Sequence, residues 1–129
     1  MATPATTLDD TLGFEFVRRA EGDVVARIQV SDRVKQKLGA VHGGVYSALA
    51  ESLASRATCR ALTDDEARVL AVWTETDCYI SVTEGSIEAE ARCVHRGHTT
   101  WSWEVKMMDE LGQLCARSRV RIKAEPLSA

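Results

Sequence analysis

No stretch of this chain approaches the roughly 18 consecutive apolar residues that a bilayer-spanning helix requires. Positive charge is not in surplus either: 16 Lys and Arg face 19 Asp and Glu, for a net charge of −3. No overall basic field exists to recruit nucleic acid or anionic lipid, so neither a nucleic acid nor a membrane is expected as a partner. The C-x-x-C pattern is missing. Cys59, Cys78, Cys93 and Cys115 are widely spaced, which argues against a disulfide framework or a zinc site. Reduced thiols packed in a core, and no metal, are expected. The start, MATPATTLDD, has neither the basic nor the apolar region of a secretion signal, so a cytoplasmic location is expected. Repeats, linkers and composition shifts are also lacking. The 129 residues suit a single domain over 1–129, with 1–10 as a flexible tail.

What remains is an ordinary folded composition, 45% hydrophobic and 27% charged. LGFEFVRR (12–19) and DVVARIQV (23–30) read as two strands joined by a turn at 20–23. Ser31 and Asp32 suit a short helical turn broken by Gly39. From Val45 to about Leu62 there is no glycine or proline, and small helix formers dominate. Four more strands follow, at 68–80, 86–96, 98–109 and 113–123, read as an antiparallel meander. The fold class is α+β: an antiparallel sheet with one apolar face, covered by the single long helix. The row Arg117, Arg119, Arg121 and Lys123 falls on the opposite face, where Glu88, Glu90 and Glu104 can pair with it. That outward face is expected also to carry Val25, Trp101 or Trp103.

VHGGVYSALAES (41–52) concentrates the chemistry. Ser47, Glu51, Ser55 and Thr58 recur at helical spacing. Short hydroxyls around one carboxylate, without Lys or Arg, suggest a confined polar wall rather than a solvated stripe. At the helix start, N–H groups lack internal acceptors and the helix dipole is positive. A glycine there lets a carbonyl oxygen approach those donors, as in an oxyanion hole. Gly43 and Glu51 are eight residues apart, roughly 12 Å along one helix. A single carbonyl group cannot span that distance while its carbon lies about 3 Å from an attacker and its oxygen sits near the donors. If both groups serve one reaction, two helices must lie antiparallel side by side, with two shared sites in a two-fold dimer.

These residues resemble the hotdog-fold acyl-CoA thioesterases over nearly the whole chain, from about Leu12 to Lys123. The resemblance is to the glutamate-type 4-hydroxybenzoyl-CoA and phenylacetic-acid-pathway thioesterases. It rests on VHGGVYSALAES, HRGHTTW and DELGQLCA at the expected places. It implies a hotdog fold and hydrolysis of an acyl-CoA, with an aromatic acyl group among the candidates. It implies no cofactor beyond the CoA of the substrate. A homodimer with shared sites is expected from the spacing above, and a dimer of dimers because the outward sheet face is expected to carry Val25, Trp101 or Trp103. By the same resemblance, Glu51 is the nucleophile or general base and Gly43 N–H polarises the thioester carbonyl. Gln36 assists at the thioester and Ser55 orients the water. His42 and Gly44 belong to the substrate-binding loop, His42 by positioning it. His98 and Thr99 contact the CoA part. The family's aromatic-aromatic-Arg-Pro stretch is replaced by CYISVTEG (78–85), which leaves Ile80 and Ser81 where a basic contact to CoA is expected. A hotdog enoyl-CoA hydratase or dehydratase, and a non-catalytic acyl-CoA-binding protein, remain as alternatives.

Overall fold

A computed structural model describes residues 3–19, 24–62 and 67–126. The expected turn at 20–23 and residues 63–66 lie outside them. The order is α1 (Leu8–Leu12), β1 (Glu15–Arg18), β2 (Val24–Gln29), a 3-10 turn (Asp32–Val34), α2 (Gly43–Ala61), β3 (Ala67–Cys78), β4 (Ser86–Arg96), β5 (Thr100–Met108) and β6 (Leu114–Pro126). All six strands form one antiparallel sheet that packs on α2, as expected of the α+β reading.

Several expectations need correction. Part of the tail is ordered: Thr7 and Asp10 form a reciprocal capping box on α1, and Gly13 ends it at φ 76°. That helix takes Leu12, so β1 starts later than the apolar pattern suggested. The last four strands are not a simple meander either. The sheet order is β1-β2-β4-β5-β6-β3, so β3 pairs with β6 and forms the far edge. The β2–β4 and β3–β6 pairings skip strands in sequence, while β4, β5 and β6 follow one another through short turns. Finally, only Cys115 of the four thiols is buried.

The core lies between α2 and the inner sheet face. Leu49, Ala50, Leu53 and Ala54 are fully excluded from water and meet Ile28, Ile87, Val105, Met107, Val120 and Ile122. Small residues let the helix backbone approach the strands. Trp101 and Trp103 belong to this core, stacked with ring centroids 6.2 Å apart, and not to the outward face as expected. That removes one ground for a dimer of dimers. The outward face is paired differently too. Glu88 binds Arg19 and Arg27, Glu90 binds Arg19, and only Glu104 reaches the basic row, at Arg117. The guanidiniums of Arg27 and Arg19 hold the Glu88 carboxyl below its ordinary range.

Thr58 is a buried polar joint in this core. It donates to Ala54 O at 2.8 Å and accepts from Trp103 Nε1 at 2.8 Å. Thr58→Val keeps the shape but orphans the indole N–H, a loss of about 1–3 kcal/mol. Urea unfolding of the two proteins should show it as a lower midpoint at unchanged slope.

Candidate active site

The α2 N-terminus is built from the loop before it. Val34 O accepts from His42 N at 2.9 Å, and Val82 O accepts from Val41 N at 2.9 Å. Between them, Gln36 O accepts from Gly39 N, and Gly39 stands at φ 96°, where L side chains are strained. The Gln36 side-chain oxygen accepts from Leu38 N, leaving its amide nitrogen as the free donor end. His42 is the N-cap residue: its Nδ1 accepts from Gly44 N at 2.8 Å.

The cap separates the roles of the two glycines. Gly44 N–H is committed to the His42 ring. Gly43 N–H, at the first position of the helix, has no hydrogen-bond acceptor among the described residues and sits at the positive end of the dipole. Gly43 also opens on a cleft of about 350 Å³ lined by Gln36, Ala40, Val41, Tyr46, Cys78, Tyr79, Ile80 and Ser81. Gln36 and Gly43 are therefore brought together.

Glu51 is not part of that cleft. It is exposed on the face of α2 turned away from the sheet. Ser55, half-buried one turn on, lines a second cleft of about 440 Å³ with Phe16, Arg18, Val24, Arg56, Cys59 and Arg60. The expected polar wall is therefore divided. Ser47 turns to the sheet, where its hydroxyl meets Thr76 at 2.8 Å and Thr76 meets Ser118 at 2.7 Å. Thr58 is buried and engaged with Trp103. A twisted sheet covers a different side of the helix at each turn, so helical spacing alone does not keep four residues in one environment.

His98 and Thr99 are exposed at the β4–β5 turn, with Thr99 O accepting from Ala124 N at 2.8 Å. Tyr46 and Cys78 were not singled out from the sequence, although both line the Gly43 cleft. Tyr46, three residues past Gly43, carried a readable signal in that helical spacing. Cys78 did not, because its position depends on β3 lying beyond β6. Although Cys78 is exposed as a residue, partial desolvation of its sulfur, and then the Asp77 charge, push the thiol above its ordinary range.

The family described as "Thioesterase superfamily" matches residues 38–116. A 1,4-dihydroxy-2-naphthoyl-CoA hydrolase of Listeria monocytogenes is 34% identical over 115 residues, covering 89% of this chain and 93% of that one. A Haemophilus influenzae thioesterase structure superposes with a TM-score of 0.90 at 26% identity, covering 97% of this chain and 87% of that one. Two structures of one Staphylococcus aureus protein each superpose with a TM-score of 0.87, at 27% and 28% identity, covering 94% of this chain and 100% of that one. In one of them a glutamate is replaced by alanine, in the other a glutamine fifteen positions earlier. The chain belongs to the thioesterase superfamily and is a thioester hydrolase with the hotdog fold.

The His42 cap generates a test. His42→Ala frees Gly44 N–H and loses the cap, with an expected cost of about 0.5–2 kcal/mol. His42→Asn, which restores a capping oxygen, should recover most of it. Thermal unfolding of the three proteins distinguishes this cap from a histidine that acts only on substrate, for which the midpoints would coincide.

Proposed function

We propose that the protein hydrolyses an acyl-CoA in a homodimer, each site combining Gly43 of one subunit with Glu51 of the other. The single observation that carries this reading is the separation on α2. Gly43 N–H stands open at the helix start, while Glu51 is exposed eight residues further along, roughly 12 Å away.

The edges of the sheet support it. β1 is four residues long, but β3 is twelve and has strand neighbours on one side only. Leu70, Val72 and Trp73 are exposed on it. A long apolar edge is a template for pairing. α2 packs chiefly against β3 and β6, tied there by the Ser47–Thr76–Ser118 hydroxyls. Two β3 edges paired about a two-fold axis bring two α2 helices antiparallel and adjacent, each N-terminus beside its neighbour's middle.

In that arrangement the thioester oxygen accepts from Gly43 N–H, and the amide of Gln36 is within the same cleft. Such a donor is worth about 3–4 kcal/mol in the transition state. The neighbour's Glu51 either takes a proton from attacking water or attacks the carbonyl to give an anhydride that water then opens. Both routes end in free acid and CoA thiol. Ser55, one turn beyond Glu51, holds the water. His98 and Thr99 lie at a turn suited to the CoA part. Gln36 and Glu51 have the same fifteen-residue separation as the two positions replaced in the Staphylococcus aureus protein, which favours these two residues. The aromatic acyl group in the name of the Listeria relative favours an aromatic acyl group here. No cofactor enters this chemistry.

Glu51→Ala should lower kcat by about 10²–10⁴-fold in a CoA-thiol release assay. Gly43→Pro is a second probe: proline is favoured at the first helical position, where it replaces the N–H by a ring methylene, and an added Cβ meets Cys78 Sγ only at an ordinary 3.7 Å. The preceding His42 is already extended, at φ −64° and ψ 132°, as a residue before proline must be. It should fold normally and lose about 10²–10³-fold. Co-expression of the two inactive variants should restore about a quarter of wild-type activity, because half of randomly paired dimers carry one intact site. Activity that stays at the level of the single variants would refute the shared site. In a single turnover in ¹⁸O water, label in Glu51 marks attack by the carboxylate, and label only in the acid marks general-base catalysis.

A further inference from the structure

The second cleft, of about 440 Å³, begins one helical turn past Glu51, with Phe16, Arg18, Ser55, Arg56 and Arg60 among its walls. Two of the arginines are on α2, four residues apart, and the third is on β1. Phe16 and Arg18 are two apart on that strand and share a face, and Phe16 packs there against the core under α2. The Arg56 guanidinium lies over the Phe16 ring at 3.8 Å and pairs with Asp9 at 3.5 Å. It is therefore held in a fixed place at the cleft wall.

Three cations crowd this cleft at a cost, since like charges four apart destabilise a helix. The helix dipole favours a cation near the C-terminus, which accounts for Arg60 but not for Arg56 or Arg18. Among the described residues, Asp9 is the one acid that pairs with any of the three, so the cluster stays positive. Guanidiniums match a carboxylate with paired, charge-assisted hydrogen bonds, and the Phe16 ring offers the apolar stem of a ligand a surface.

In the dimer described above, the thioester is held beside Glu51. Arg56 and Arg60 come five and nine residues later on α2, roughly 8 and 14 Å along the helix. The C-terminal half of the helix thus offers its arginines to the far end of an acyl group. We propose that this cleft receives that end and that Arg18, Arg56 and Arg60 pair there with a carboxylate. The substrate class is then the CoA monothioester of a dicarboxylic acid. This rests on the thioesterase reading above and adds a specificity to it. An acyl group ending in a methyl or a bare ring gains none of these bonds and leaves the guanidiniums without their partner.

The test compares adipoyl-CoA with hexanoyl-CoA, and 4-carboxybenzoyl-CoA with 4-methylbenzoyl-CoA, by thiol release. In wild type the carboxylated member of at least one pair should lead by about tenfold or more in kcat/KM, as a hydrogen bond to a charged group provides. Arg18→Gln combined with Arg60→Gln leaves the Arg56–Asp9 tie to α1 in place and should cut that lead by about tenfold. Arg60→Gln alone should cut it by less. A wild type without the lead, or a lead that is the same in the double variant, would overturn the assignment and leave the thioesterase intact. Equal loss of kcat/KM on all four esters in the variant would overturn it too, because the arginines would then serve the CoA phosphates that the four share. No thiol release by wild type from any of the four would overturn the thioesterase reading as well.

Discussion

The close approach of α2 to the inner face of the sheet sets the position of everything chemical in this protein. Leu49, Ala50, Leu53 and Ala54 are wholly removed from water, and two alanines among them let the backbone sit low on the strands. Replacing such a leucine by alanine typically costs about 2–5 kcal/mol, a large part of a small domain's stability. Because the helix is locked along one face and pinned by hydroxyls to β3 and β6, its opposite face and its N-terminus have fixed directions. The donor and the acid are held by the same rigid element.

That rigidity separates the site into halves. The loop 35–42 shapes the donor end: backbone hydrogen bonds to Val34 and Val82 hold it, and His42 occupies the Gly44 N–H. The acid end is set only by its turn of α2 and lies outside the Gly43 cleft. α1 sits nearby through Asp9, which accepts from Ser52 at 2.6 Å and pairs with Arg56 at 3.5 Å. The tethered α1 borders the flank next to Glu51 and leaves the β3 side free.

Much of this was legible because it is local. The helix from Val45 onward follows from small residues without Gly or Pro, and β4 has the bounds that its alternation gives. The HGG start and the eight-residue spacing to Glu51 are sequence facts whose meaning follows from helix geometry. What was not legible depends on non-local pairing. The place of β3 is decided by β6, whose paired residues lie 38 (Cys78 with Ala116) to 59 (Ala67 with Pro126) positions later, and with it the position of Cys78 beside Gly43. Trp101 and Trp103 face inward because the alternation of β5 places them on the same side as Val105 and Met107. α1 escaped because its cap uses aspartate, where the usual box has a glutamate or glutamine.

The insertion of β6 between β5 and β3 has a kinetic side. β3 is synthesised before β4 and β5, yet its only strand neighbour is made last among the described strands. Until residues 114–126 arrive, a twelve-residue apolar strand and the helix behind it have no completed sheet to close on. Long-range pairing of this sort slows folding and leaves sticky intermediates. The nascent chain thus carries β3 without its strand partner until the final hairpin forms.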